Sequence, residues 1–410
     1  MIASVLALSI SAAVVMLGFG IIVPFLPYYA QMLGTTSGLE VGLLTSAFLL
    51  TRTFLAAPAG ALSDRLGRKR LILAGLLIYT VVSVLFGTAQ SWQELLVYRA
   101  IQGVASAMVW PPATALIGDL TPPGRRGNAI GIYNAISMSG WAIGPGIGGS
   151  IKWYAENVLH MGLLDSYRAP FYACAIASAA ALLLVAFTVK SPQVSAMSVS
   201  KKHLQMHLPF REIDEKYRKT IIAMLFVGLS YGFATAFIEP LLAYFVQHEY
   251  ALSYSEATDS MSVIFTVAGV IMLFAQLYAG RLADRFSKRR MIAIFTSLAQ
   301  LFTIVMPISK NLTEIGVMMS IRSALYGMTS PAYTALQQDL FPRKVRGALT
   351  GIFETFFGIG SFLGPIIGFI VYDNVSHSMP FLLSGILGLL TIIALVIVAK
   401  EPKPEESSQF

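Results

Sequence analysis

The feature that most constrains this chain is a succession of apolar runs, each near the roughly 20 residues that a helix needs to cross a bilayer. They fall at about 4–30, 40–62, 71–89, 93–120, 128–151 and 169–190. A second set falls at about 219–247, 257–281, 289–308, 312–337, 346–372 and 378–399. In lipid a backbone must satisfy its own hydrogen bonds, so such runs predict α-helices. Twelve spans leave only short connections in 410 residues, which excludes a large soluble domain. Only 12% of the residues are charged, against about 25% in soluble domains. The expected class is an all-α, multi-pass protein of the cell membrane, with the lipid bilayer as its first partner. The first run begins almost at Met1 without a basic leader segment, and is expected to stay as helix 1.

Charge placement sets the expected orientation. Of the 29 Lys and Arg residues, twenty-three lie in the even-to-odd connections and the C-terminal tail. Only Lys152, Arg168 and Lys310 lie in the opposite connections. Positive residues gather on the cytoplasmic side, so both termini are expected there. The net charge of +8 is therefore read as topology, and no nucleic acid is expected as a partner. The polar stretch 191–218 reads as a cytoplasmic linker between two six-helix bundles, 1–190 and 219–399, with 400–410 as a cytoplasmic tail.

The two halves repeat at an offset of 220. Gly60-Ala-Leu-Ser-Asp64-Arg65 matches Gly280-Arg-Leu-Ala-Asp284-Arg285, Pro111 matches Pro331, Asp119 matches Asp339, and Gly144-Pro145 matches Gly364-Pro365. An even number of spans separates the matches, so the halves insert the same way round, as a parallel repeat about an axis along the membrane normal.

With these motifs in view, the chain resembles a major facilitator superfamily transporter over its whole length. Gly60-Ala-Leu-Ser-Asp64-Arg65-Leu-Gly67-Arg68-Lys69-Arg70 resembles the signature after helix 2 of that family, echoed at Asp284 and Arg285. The resemblance implies that Asp64 latches the two halves on the cytoplasmic side, near Arg346 and Gly347. Gly140-Trp-Ala-Ile-Gly144-Pro145-Gly146-Ile-Gly148-Gly149 resembles the helix-5 signature of the family's antiporters. Glycines so spaced also let helices approach closely, and Pro145 removes one backbone bond, so plain packing stands beside the antiport reading. Arg99-Ala-Ile-Gln102-Gly103 and Gly18-Phe-Gly20-Ile-Ile-Val-Pro24 resemble patterns of the twelve-helix drug:proton antiporter subgroup. Glu239-Pro240 and Glu354 resemble acids in helices 7 and 11 of vesicular monoamine transporters, whose helix-1 acid has no counterpart here.

Five ionisable residues fall inside predicted spans: Arg52, Arg99, Glu239, Arg322 and Glu354. Each costs at least ~2.5 to 3.5 kcal/mol on insertion scales, which makes each a functional candidate. At 1.5 Å per residue, Arg52 and Glu354 lie roughly 15 and 12 Å from their cytoplasmic helix ends, and Glu239 and Arg322 share a depth from the other side. Two cross-helix pairs are expected, either as working groups or as static bridges. Glu239 and Glu354 are the proton-coupling candidates, since a carboxylate can take up a proton on one side and release it on the other. Glu239 is favoured because Val23 stands at the matching place before Pro24. Trp110, Tyr133, Trp141, Tyr244, Tyr326 and Tyr333 are candidate cavity residues for cationic or flat solutes, against the plainer reading that they pack or anchor.

Cys174 is the only cysteine, and no Walker loop, zinc motif or nucleophile elbow occurs, so no metal, cofactor or enzymatic activity is expected. The resemblance implies a monomer that exchanges protons for small amphipathic molecules and exports them by alternating access. Uptake or flipping of an anionic or lipid-linked solute, and a non-transporting sensor, remain alternatives.

Overall fold

The computed structural model describes residues 2–122, 125–189, 215–283, 285–341 and 346–399. Among them twelve α-helices follow in order: α1 (Ile2–Met32), α2 (Gly38–Leu66), α3 (Arg68–Thr88), α4 (Trp92–Leu120), α5 (Arg126–Asn157) and α6 (Leu163–Thr188). The second half holds α7 (Glu215–Glu249), α8 (Tyr254–Ala283), α9 (Lys288–Val305), α10 (Leu312–Leu340), α11 (Arg346–Asn374) and α12 (Met379–Val398). The expected linker falls outside the described residues up to 214, and α7 is under way at Glu215. The tail 400–410 and Asp284 also lie outside them.

Ten of these helices are apolar enough to cross a bilayer by composition alone. The two that are not, α5 and α10, carry the glycine run with Lys152 and the polar run around Arg322. Several helices outlast their apolar runs because charged ends pair along them. In α5, Lys152 Nζ lies 2.7 Å from Glu156, one turn on. In α6, Arg168 reaches Asp165 at 3.1 Å. The run at 289–308 ends differently, as a 3₁₀ turn over Met306–Ile308. Pro307 sits inside that turn, where it donates no helical hydrogen bond.

Four helices that begin on the side away from the termini, α2, α4, α8 and α10, share one start signal, a Ser or Asn followed three residues later by Glu. The Glu40 N–H donates to Ser37 Oγ at 3.4 Å, while Glu40 accepts from the Ser37 N–H at 3.3 Å. Ser253 with Glu256 and Asn311 with Glu314 repeat the amide-to-cap bond in the second half. Such reciprocal caps satisfy orphan amides at a helix start.

The repeat read in the sequence is a repeat of packing. α1 lies on α5 as α7 lies on α11, α2 on α4 as α8 on α10, and α3 on α6 as α9 on α12. The seam between the first pair needs glycine. A Cβ on Gly140 would stand 2.1 Å from the Ala13 carbonyl oxygen, and one on Gly360 would stand 2.0 Å from that of Leu229. Gly144 against Leu17 and Gly364 against Phe233 repeat the contact one turn on. These partners differ by 216 residues, so Pro24 matches Pro240 and Val23 matches Glu239.

Between the bundles, α2 packs on α11 and α5 on α8. Both seams are tight toward the side away from the termini. Gly42 lies on Pro365, and Gly146 and Gly149 lie on Thr266 and Ser262. One apolar cluster there joins both halves, with Phe25, Tyr28 and Tyr29 against Phe237, Leu241 and Phe245. Tyr28 Oη donates to the Ala243 carbonyl at 2.6 Å, and the Leu39 N–H donates to Asp373 at 3.1 Å. Lys152, which the charge count places in a loop, is fully buried here. Its ammonium pairs with Glu156, and with Asp259 of α8 at 3.1 Å, and donates to Ser255. The terminal side is open by contrast. Its apolar clusters each belong to a single bundle, and a Cβ on Gly60, Gly131, Gly280 or Gly351 would meet nothing within 4 Å.

Candidate functional site

The glycine seams and the closed ends away from the termini leave space at the middle of the molecule. A central cavity of about 260 Å³ is walled by both bundles. Its ionisable residues are Arg52 of α2, Arg99 of α4, Glu239 of α7 and Arg322 of α10, four of the five intramembrane charges in the sequence. Tyr326 lines it too. The remaining charge, Glu354 of α11, borders a second cavity of about 380 Å³ that lies mainly within the C-terminal bundle. Tyr231 and Phe357 form part of both walls.

Each arginine is held differently. Arg99 is 1% exposed and donates to the Leu44 carbonyl at 3.1 Å and to Gln102 Oε1 at 2.8 Å, with Phe48 beneath it at 4.7 Å. Arg322 donates to Thr303 Oγ1 at 3.0 Å and to the Ala234 carbonyl at 3.3 Å, and lies 4.8 Å from the Tyr326 ring centre. At the 220 offset, Arg99 with Gln102 matches Met319 with Arg322, so both halves use one pair of helix positions to anchor a guanidinium. Arg52 has no such anchor among the described residues. It lies 5.9 Å from the Trp110 ring centre and faces the cavity.

Neither expected ion pair is closed. Arg52 and Glu354 feel each other's charge without forming a contact pair, and so do Glu239 and Arg322. For the first pair the reason is the cleft. α2 and α11 touch at Thr53 and Gly358, and beyond that point Phe54, Leu55 and Glu354 are exposed as the helices diverge. For the second pair, Thr303 and the Ala234 carbonyl hold the guanidinium back from the carboxylate.

Trp141 and Tyr326 line the central cavity and Tyr333 borders the second, while Trp110, Tyr133 and Tyr244 lie away from both. Tyr133 is fully buried and packs edge-on against Trp110 at 5.6 Å, inside the first bundle. Tyr244 stands at the closed side against Phe369, Tyr372 and His248. A helical pattern shows that an aromatic residue lies on a buried face, not which neighbour fills that face. The central cavity takes the rest of its aromatic surface from Phe19, Tyr231 and Phe357. Lys152 also escaped the sequence reading, because it stands near a predicted span end where a lysine ordinarily reaches solvent.

At the loop after α2, Gly67 has φ 95°, a left-handed conformation that favours glycine. The turn lets Arg68 reach back. Arg68 pairs with Asp64 at 3.2 Å, pairs closely with Asp119, and donates to the Ala115 carbonyl at 2.7 Å. Lys288 with Asp339, at 2.6 Å, is its counterpart. Asp64 is thus engaged within its own bundle, and Arg65 and Arg285 are exposed. The side chain of Arg346 lies outside the described residues.

Two parallel six-helix bundles, a charged cavity at their interface and closure at one end alone define a membrane transporter of the two-bundle kind. The chain belongs to the Major Facilitator Superfamily, whose family model matches residues 8–257 and 222–410. It is 26% identical over 402 residues to the multidrug resistance protein 2 of Bacillus subtilis (strain 168), covering 96% of this chain and 94% of that one. It is 27% identical over 399 residues to the quinolone resistance protein NorA of Staphylococcus aureus (strain MRSA252), covering 96% of each. Among solved structures, a bacterial homolog of the human lysosomal transporter Spinster, inward-facing and occupied, aligns with a TM-score of 0.77 at 17% identity, over 99% of this chain and 96% of that one. A D-xylose–proton symporter aligns at 0.76 and 15% identity, over 97% and 98%. These likenesses establish the fold.

Proposed function

We propose that the protein is a proton-coupled exporter of amphipathic small molecules. It sits in the cell membrane with both termini in the cytoplasm, acts as a monomer, and is captured here open to the cytoplasmic side. The names of its relatives, a multidrug and a quinolone resistance protein, support the substrate class. Proton exchange, small-molecule cargo and the absence of enzymatic chemistry go together in this reading.

One observation carries the coupling assignment. Glu239 lines the central cavity at the turn before Pro240, and the matching position across the cavity is Val23. The repeat therefore does not need an acid there, and an intramembrane charge that has no hydrogen bond or ion pair among the described residues points to function. Pro240 donates no backbone bond, which frees the Ala236 carbonyl one turn earlier to meet water. In the cycle, Glu239 takes a proton when the cavity faces outward and releases it when substrate enters from the cytoplasm. Glu354, at the cleft mouth, is the second protonatable group. On the terminal side Asp64 leaves Arg68 and latches the start of α11 when that side closes. Gly146 and Gly149 of the helix-5 motif hold the opposite seam, which parts in the outward-facing state.

Transport of an anionic solute is the second reading, from three arginines in the cavity. It is weakened because Arg99 and Arg322 are engaged with backbone carbonyls. The test is Glu239→Gln in proteoliposomes carrying a pH gradient. Proton-driven export of a lipophilic dye should stop, while the dye still binds. Export at the wild-type rate and pH dependence would move the coupling role to Glu354.

A further inference from the structure

The C-terminal bundle contains a cavity at positions where the first bundle carries mostly apolar side chains. Thr296, Gln300, Thr329 and Gln337 border its 380 Å³. At the 220 offset the first bundle has Leu76, Thr80, Val109 and Ile117, and three of these four belong to a buried apolar core. Ser330, also on the wall, matches Trp110, whose ring packs on Tyr133 and fills the corresponding space. The helices pack alike in both halves, so side chains alone have hollowed the second one and made it polar.

The wall is rich in acceptors and poor in charge of the opposite sign. Glu354 has no hydrogen bond or ion pair among the described residues, and its side chain is exposed to the space. Gln300 is 1% exposed, and its Oε1 has no hydrogen-bond partner among the described residues. Tyr231, Tyr333, Phe353 and Phe357 bring aromatic rings to the same space. A carboxylate, a free amide oxygen and aromatic faces together suit a cation that also donates hydrogen bonds. The volume is far larger than a metal ion needs, and no cluster of metal-ligating side chains occurs among the described residues. Met138 of α5 borders the cavity as well, so its mouth opens on the cleft between the bundles.

We propose that this cavity is a second ligand site, which takes the ammonium end of an organic amine with Glu354 as counter-ion. It rests on the reading of the protein as an exporter of amphipathic molecules and adds a place and a chemical class to it. The amine enters from the cleft, its aliphatic stem lies against Tyr231 and Phe357, and its N–H groups reach Glu354 and Gln300.

The test is equilibrium binding to the full-length protein in lipid nanodiscs, with no gradient. The probes are dansylcadaverine, a fluorescent primary alkylamine, and its N-acetylated form. Wild type should bind the amine at least about tenfold more tightly than the neutral form. Glu354→Gln should remove that preference. Ser330→Trp, which puts the ring of the first half into the cavity, should lower amine affinity by a similar factor without touching the carboxylate. The proposal fails if wild type shows no preference, or if both variants keep it. It also fails if Glu239→Gln abolishes the preference and Glu354→Gln does not, since the ammonium then lies in the central cavity. Proton-driven transport, measured separately, decides the exporter reading, so the two can fail independently.

Discussion

The two bundles share a fold and differ in what fills them. In the first, Trp110, Tyr133, Leu76 and Val109 make a solid interior. In the second, Tyr333, Thr296, Gln300 and Thr329 enclose space. The positions that make helices approach are the same in both, Gly140 and Gly144 in one and Gly360 and Gly364 in the other. The chemistry is not shared: Glu239 stands opposite Val23, and Glu354 matches Asn134. The close-packing glycines follow the repeat and the two acids depart from it, and it is on those departures that the proposed coupling and ligand roles rest.

The largest expected effect tests the shared part. Gly140→Val and Gly360→Val each drive a side chain into a backbone carbonyl, and both should abolish monodisperse protein in size-exclusion chromatography. Gly131→Val and Gly351→Val, on the same two helices at open positions, should be tolerated. Tolerance at one member of the first pair alone would break the equivalence of the seams.

A departure from the repeat comes next. Lys152 is matched by Tyr372, whose hydroxyl has no hydrogen-bond partner among the described residues. Lys152→Met leaves Glu156 and Asp259 facing each other without a cation. Loss of one partner in a fully buried pair costs about 3–5 kcal/mol, and because both carboxylates here are partly exposed the expected loss is smaller. Spin labels on the outer ends of α5 and α8 should then report longer distances and an outward-open population, whereas Tyr372→Phe should change little. Unchanged distances in Lys152→Met would remove the pair from the outer closure.

A smaller shift is expected at the terminal side. Asp64→Asn weakens the latch proposed for the closed state, by up to about 2 kcal/mol for a charge at a helix start. A disulfide between Arg52→Cys and Glu354→Cys, in a Cys174→Ser chain, should form only when that side closes and more slowly once Asp64→Asn is added. An unaltered rate would show that Asp64 serves its own bundle alone, through Arg68.

The smallest effect should be the most symmetric. Ser37→Ala and Ser253→Ala each remove a helix cap, at about 1 kcal/mol. Thermal unfolding should report equal losses, and a marked inequality would mean that the two helix starts are not equivalent.

Much of this was legible in the residues. Apolar run length gave the twelve helices, because a chain in lipid has few ways to satisfy its backbone. The 220 offset gave two bundles inserted the same way round. Five intramembrane charges were picked out by cost, and four of them meet in one cavity. Lys152 was lost to its place near a span end, and Trp110, Tyr133 and Tyr244 were drawn toward a cavity that they do not line.

What the sequence by itself determined is therefore the set of helices, their repeat and the glycines that fix how closely they pack, since each follows from spacing along one chain. Only the tertiary structure decided that Arg99 and Arg322 bind carbonyls while Arg52 stays open, that Arg52 and Glu354 are parted, and that the second bundle is hollow. The physical reason is that a 3.6-residue period tells which face of a helix is buried, while the distance to the next helix and the volume left between them depend on side chains from several helices at once.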